Sequence, residues 1–133
     1  MKVLLLGVTG NVGSRLLPAL LAHKNQVVVY VRSPNKISPE TKSKVEEVVV
    51  GSATDSAAIK AAILSHNCDA VINAAGVAGM TKWSAQSDFP AIFAAVVKAT
   101  VEAGQERKAP IRCWLMSGQG VMDSLKKPYL LVD

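Results

Sequence analysis

Apolar residues follow two rhythms along this chain. Five short stretches are mostly apolar: residues 3–6, 27–31, 45–50, with Glu46-Glu47 at its exposed start, 70–76 and 111–116. Short runs rich in valine, leucine and isoleucine suit strands buried on both faces of a parallel sheet. Between them the spacing changes to every third or fourth residue, the mark of a helix with one apolar face. Val12, Leu16, Leu17, Leu20 and Leu21 form the first such set, residues 59–64 the second, and Ile92, Phe93, Val96, Val97, Thr100 and Val101 the third. Thr54 or Asp55 is placed to cap the second helix. Ser87 or Asp88 is placed to cap the third, with Pro90 in its first turn and Gly104 expected to stop it. Pro18 removes one N–H from the first helix and should bend it or loosen a turn. Residues 37–44 are polar, contain Pro39, and read as a loop or a short frayed helix; residues 77–87 read as a longer loop with Trp83 packed on the domain. Alternating strands and helices predict the α/β class, an open, doubly wound sheet of five parallel strands in the order 3-2-1-4-5 with right-handed crossovers. Its crevice falls between the first and fourth strands.

Composition adds bounds rather than detail. A chain of 133 residues that is 50% hydrophobic and 19% charged is one domain with ample material for a core. The net charge of +5 includes Lys36, Lys42, Lys44, Arg107, Lys108, Lys126 and Lys127, which fall in loops and at helix ends. With no aromatic-basic interleaving they read as a solvated face, not a nucleic-acid surface. Cys68 and Cys113 lack metal-ligand spacing, lie beside or within apolar strands, and are expected to be buried, reduced thiols. The first apolar run is broken by Gly7 and Gly10, and no run approaches membrane-spanning length, so a soluble, cytoplasmic protein without membrane contact is expected.

The chemistry begins at Gly7-Val8-Thr9-Gly10-Asn11-Val12-Gly13, a G-x-x-G-x-x-G turn between the first strand and the first helix. Glycines allow a tight turn and close backbone approach, and the first free N–H groups of the helix face an anion. In this strand-turn-helix setting the turn predicts a bound dinucleotide. The second strand ends in Tyr30-Val31-Arg32, followed by Ser33-Pro34-Asn35-Lys36. A site selective for NAD places a carboxylate here to hold the ribose hydroxyls. Arg32 instead offers a planar cationic fork, with Ser33 and Lys36 as further donors, which favours NADP and its 2′-phosphate. Further ligand groups should gather at the strand ends: Ser52 and Ala53, the small residues Ala74, Ala75 and Gly76, and Met116 with Ser117.

These stretches, together with Gly51-Ser52-Ala53-Thr54-Asp55, Asp69 to Gly76 and Trp114-Leu115-Met116-Ser117, resemble the atypical short-chain dehydrogenase/reductases, an NmrA-like group of NAD(P)-binding Rossmann proteins, over nearly all the chain up to Ser117. The resemblance implies a Rossmann-type fold in which Gly7, Gly10 and Gly13 line the pyrophosphate beside the backbone of Thr9, Asn11 and Val12. Arg32 would hold the 2′-phosphate, Ser52 and Ala53 would border adenine, and Ala74, Ala75 and Gly76 would run along the ribose and nicotinamide. Many relatives have an aspartate where this chain has Ser52. Reductases of the group also use a serine after the fifth strand with a Y-x-x-x-K pair, the tyrosine donating a proton while the lysine lowers its pKa. Ser117 and Tyr129 are the candidates, but the fourth position after Tyr129 is Asp133, so the lysine is missing and an acidic group would raise the phenol's pKa.

The expectation is therefore a single NAD(P)-binding domain over residues 1–133, either the cofactor part of a longer reductase or a natural short form without the substrate-binding part. As an NADPH-dependent reductase it would pass hydride to an unidentified small molecule. The alternative is a non-catalytic NADP sensor that contacts a protein partner. A nucleotide triphosphatase is disfavoured, because no G-x-x-x-x-G-K-[ST] occurs and Gly13 is followed by Ser14-Arg15.

Overall fold

A computed structural model describes residues 1–75 and 89–116, with Phe89 by its backbone. Five strands, β1 (Lys2–Leu6), β2 (Gln26–Val31), β3 (Glu47–Val50), β4 (Ala70–Asn73) and β5 (Arg112–Leu115), form one parallel sheet in the order β3-β2-β1-β4-β5. This is the doubly wound Rossmann-type order that the alternation predicts. In β1, at the centre, Leu4, Leu5 and Leu6 have no exposed surface. Their side chains alternate between the two faces. Leu4 and Leu6 join Val28, Tyr30 and Val71 under two helices, α3 (Ser56–Ser65) and α4 (Phe89–Arg107). Leu5 joins Val27, Val29 and Val31 on the other face, covered by α1 (Gly13–Ala22) and by Ile37, which precedes the short α2 (Pro39–Lys44). An uninterrupted apolar strand is thus what a two-sided sheet requires.

Several boundaries depart from the pattern for local reasons. The third strand begins at Glu47, although Glu46 already donates its N–H to Val27 O at 2.8 Å. The fourth ends at Asn73, although Ala74 N–H still bonds to Leu6 O at 2.9 Å; beyond it the buried Asn73 side chain accepts the Ala75 N–H at 3.1 Å. Residues 39–44 do form a helix, capped by Ser38, whose hydroxyl accepts from Thr41 N–H. Asp55, not Thr54, caps α3 by accepting from Ala58 N–H at 3.1 Å. Pro90 sits in the first turn of α4, while the expected caps Ser87 and Asp88 and the loop with Trp83 lie outside the described residues.

Two expectations for α4 are corrected. The buried stripe is Ile92, Ala95, Val96, Ala99, Thr100 and Ala103, whereas Phe93 and Val101 are exposed. Alanines at 95, 99 and 103 let α4 approach α3, where Ile59, Ala62 and Ile63 fill the contact. A pattern based on the larger side chains finds Ile92, Val96 and Thr100 but passes over the alanines beside them, because small residues decide how closely helices pack. Gly104 does not stop the helix, which runs to Arg107. The end is made by Lys108 in the left-handed region at φ 56°, with Ala109 N–H bonded to Gly104 O and Lys108 N–H to Gln105 O. Gly104 serves this turn differently: a Cβ there would stand 3.3 Å from Ala109 O. α1 and α3 end the same way, with Lys24 and Asn67 at φ 62° and 52°.

The cysteines divide. Cys68 is buried as expected, while Cys113 is exposed with its neighbours Arg112 and Trp114 on β5, an edge strand among the described residues. Burial pushes the Cys68 thiol up to about 11.

Candidate functional site

Where β1 ends, the chain turns in the glycine loop, and the turn is held by atoms that leave no room for side chains. Gly7 has φ +82°, and a Cβ on it would run into the backbone of Ala74 and Ala75 at the end of β4. Gly10 N–H closes the turn on Gly7 O at 3.1 Å. A Cβ on Gly13 would collide with that same Gly7 carbonyl, so the first residue of α1 must also be glycine. Gly10 differs from both: a Cβ there meets only Gly7 O at 3.4 Å, an ordinary contact.

The start of α1 is left electrostatically open. Val12 occupies the cap position with no side-chain hydrogen bond, and the first turn carries no acidic residue. The first amide of this segment with a backbone acceptor is Ser14 N–H, on Gly10 O at 3.0 Å. Free N–H groups at the positive end of the helix dipole are what an anion requires.

This turn forms one wall of a cleft of about 360 Å³ across the carboxyl ends of β1, β2, β3 and β4. Of the residues expected from the sequence, Gly7, Thr9, Gly10, Arg32, Ser33, Lys36, Ser52, Ala53, Ala74 and Ala75 line it. Asn11, Val12 and Gly13 lie just beyond, at the start of α1. Met116 does not line it: half-buried after β5, it donates its N–H to Asn73 O at 3.1 Å. Gly76, Ser117 and Tyr129 lie outside the described residues.

The cleft's charge is one-sided. Arg32 and Lys36 line it, and no carboxylate does, among the described residues. Ser33, Arg32 and Lys36 are brought together by a short 3-10 turn, Pro34–Lys36, in which Lys36 N–H bonds to Ser33 O at 3.2 Å. Pro34 presets the first position of that turn.

The sequence pattern did not single out Tyr30, Gly51, Thr54 or Ile92 as site residues, yet all four line the cleft. Tyr30 is 2% exposed and donates its hydroxyl to Ser52 O at 2.8 Å. That bond pins the turn after β3 to the end of β2. Gly51 makes it possible, since a Cβ there would overlap the Tyr30 hydroxyl. Burial raises the phenol's pKa, with Asp55 adding to the effect, so Tyr30 stays a neutral donor. The available signal was a lone tyrosine in a valine run, since a buried tyrosine generally finds a partner for its hydroxyl. Within the turn, Ser52 Oγ accepts Thr54 N–H at 3.2 Å and lies 2.8 Å from Thr54 Oγ1.

Among the described residues no group of histidine, cysteine and acidic side chains is placed to hold a metal, and no helix is long and apolar enough to cross a membrane.

Solved structures similar to this chain share its fold. ChuY, an anaerobilin reductase from Escherichia coli O157:H7, is 22% identical with a TM-score of 0.66 over 90% of this chain and 52% of its own. A short-chain dehydrogenase/reductase from Veillonella parvula, solved with NADP, is 22% identical with a TM-score of 0.65, over 90% of this chain and 48% of its own. WbmG from Bordetella bronchiseptica, solved with NAD, is 23% identical with a TM-score of 0.62, over 78% of this chain and 34% of its own. This chain therefore spans about half the length of the first two and a third of the last. No curated protein matches it. The family model described as NAD(P)H-binding matches residues 7–130, from the first glycine of the turn onward. With the open helix start, the glycine cradle and the cationic cleft in one place, the chain belongs to the NAD(P)H-binding family, and its ligand is a nicotinamide dinucleotide.

Proposed function

We propose that the chain binds NADP(H) in preference to NAD(H) and is an NADPH-dependent reductase of the atypical short-chain, NmrA-like type, or the cofactor domain of one. One observation carries the preference. Arg32, Ser33 and Lys36 line the same cleft as Gly7 to Gly10, with no carboxylate among its described lining residues. A 2′-phosphate brings two negative charges to a place that offers a guanidinium fork and an ammonium group. A plain ribose would leave those cations without a partner.

The rest of the cleft fits the remaining parts of such a molecule. Gly7, Gly10 and Gly13 let the pyrophosphate approach the backbone, with the amides at the start of α1 facing it. The turn at Ser52–Thr54, beside Arg32, borders the base. Ala74 and Ala75 offer the small surface along which the second ribose and the nicotinamide would lie. Bound, the reduced nicotinamide supplies a hydride; the residues described here bind and orient it. Ser117 and Tyr129 are proposed for the proton-transfer side, with Tyr129 the weaker because Asp133 stands where a lysine would assist it. That same substitution supports a second reading, in which the chain binds NADP and signals its state to a protein partner without turnover.

Fluorescence titration with NADPH and NADH tests the preference. The expected result is binding tighter for NADPH by about tenfold or more, as suits one charge-assisted contact, with the difference lost in Arg32→Ala. Equal affinity for the two, or binding of neither, removes the proposal. Turnover of NADPH across a panel of carbonyl compounds, dependent on Ser117, separates reductase from sensor.

A further inference from the structure

We propose that the hydroxyl pair Ser52–Thr54 makes the base pocket of this cleft tolerant, so that dinucleotides carrying adenine or hypoxanthine bind with similar affinity. The inference rests on the reading that a dinucleotide occupies the cleft, and deepens it at the base.

The geometry is that of a reversible relay. Ser52 Oγ accepts Thr54 N–H at 3.2 Å, and the two hydroxyl oxygens are 2.8 Å apart, close enough that one must donate to the other. Either can be the donor. If Ser52 donates to Thr54, the Thr54 hydrogen is free to point outward, and Ser52 keeps one lone pair for an incoming donor. If Thr54 donates to Ser52, both lone pairs of Ser52 are used, its own hydrogen points outward, and Thr54 becomes the outward acceptor. Reversing one hydrogen bond thus exchanges the outward donor and acceptor.

The two purines differ by the same exchange. Adenine presents an amino donor beside an acceptor ring nitrogen, and hypoxanthine presents a carbonyl acceptor beside a ring N–H donor. With Ser52 opposite the six-position substituent and Thr54 opposite the ring nitrogen, an aspartate in place of Ser52 could only accept, which suits the amino group and opposes the carbonyl.

Both hydroxyls are exposed and line the cleft. Their turn is kept rigid from below by the Tyr30 bond to Ser52 O, at 2.8 Å. Asp55, the nearest carboxylate in sequence, does not line the cleft, and its Oδ1 is taken by Ala58 N–H. The second strand's cations lie alongside, since Gly51 N–H bonds to Val31 O at 2.9 Å and Arg32 follows directly. A phosphate on Arg32 therefore leaves the attached base to face this turn.

The test compares NADPH with nicotinamide hypoxanthine dinucleotide phosphate, reduced, by the fluorescence of the nicotinamide that both carry. In the unaltered chain the two dissociation constants should agree within about threefold, and Ser52→Asp should raise the preference for adenine to about tenfold or more. The ratio is the readout, because both ligands have the same phosphates and the added charge weakens them equally. The double variant Ser52→Asp with Thr54→Val, which leaves no hydroxyl, should show the same adenine preference. A preference above about tenfold for either base in the unaltered chain, or an unchanged ratio in both variants, overturns the proposal while leaving the cofactor reading intact. Failure to bind either dinucleotide overturns the cofactor reading instead.

Discussion

Replacing Gly10 with alanine should strengthen the fold and weaken the ligand, and this opposition of signs tests what the glycine turn is for. Gly10 lies outside the left-handed region, and an added Cβ would meet only Gly7 O at 3.4 Å. The native state accepts it without strain, while the unfolded chain loses freedom, so stability should rise by about 0.4–1 kcal/mol. The same methyl group would stand on the cleft wall where the backbone lies exposed to an approaching phosphate. Pushing a pyrophosphate off the wall by a methyl radius should cost about 1–3 kcal/mol, or about a five- to 150-fold loss of NADPH affinity. Gly7→Ala is the contrasting control. Its φ of +82° and the overlap with Ala74 backbone would force the carboxyl ends of β1 and β4 apart, where Ala74 N–H bonds to Leu6 O at 2.9 Å. Left-handed strain alone is about 1–2 kcal/mol, and the displaced backbone should bring the loss to about 3 kcal/mol or more. Urea denaturation gives the stabilities and fluorescence titration the affinities. Wild-type affinity in Gly10→Ala would show that no ligand phosphate approaches this wall, and a destabilisation above about 1 kcal/mol would show that the turn is not built as described.

Three further outcomes are expected. Lys24→Gly and Lys108→Gly should each raise stability by about 0.5–1 kcal/mol in thermal melts, since both lysines hold a left-handed conformation after a helix; a loss would mean that their side chains matter more than their backbone. Tyr30→Phe should cost about 0.5–1.5 kcal/mol at pH 8, where the Ser52 bond is made. Because the folded phenol's pKa is raised, the unfolded phenol ionises first as pH climbs past about 10, so the native protein should lose stability there and the variant should lose less. Parallel slopes for the two between pH 8 and 10.5 would contradict this. Iodoacetamide at pH 8 followed by mass spectrometry should mark exposed Cys113 before Cys68, whose thiol is buried and held near a pKa of about 11. Cys68 should react only in denaturant, and equal rates in the native protein would refute its burial.

What could be read from the residues and what could not divide along a physical line. The sheet was legible because β1 and β2 lie in its middle, where both faces are covered and every position from Leu4 to Leu6 and Val27 to Tyr30 must be apolar. The glycine turn was legible for a related reason: crowded by its own backbone, it admits only glycine at Gly7 and Gly13, so steric exclusion is written as composition. Arg32 could be named because it follows a strand end directly and its charge needs no partner from elsewhere. On α4 the pattern holds at Ile92, Val96 and Thr100 but fails at Phe93 and Val101, because burial there is set by helix-to-helix distance. At that distance Ala95, Ala99 and Ala103 fit and Phe93 does not, and hydrophobic size alone ranks them the other way.

Ser52 and Ala53 could be named from the sequence, but what holds their turn could not, and the reason bears on how the site works. Nothing in the order Gly51-Ser52-Ala53-Thr54 says that a tyrosine 22 residues earlier holds the turn. The contact exists only because β2 pairs with β3 in a register that sets Tyr30 opposite Val49 and Val31 opposite Val50. The glycine at 51 is then required by the Tyr30 hydroxyl rather than by its own backbone angle. One consequence separates the two ends of the cleft. At the Arg32 end, the proposed selectivity would come from charge on exposed side chains and should be alterable one residue at a time, as in Arg32→Ala. At the base end, position is set by a buried hydrogen bond across two strands, so Gly51→Ala should displace Tyr30 and the turn together. It should lower affinity for NADPH and NADH by the same factor, leaving their ratio unchanged, whereas Arg32→Ala changes the ratio. A Gly51→Ala protein that binds both dinucleotides as the unaltered chain does would break the link between Tyr30 and the base.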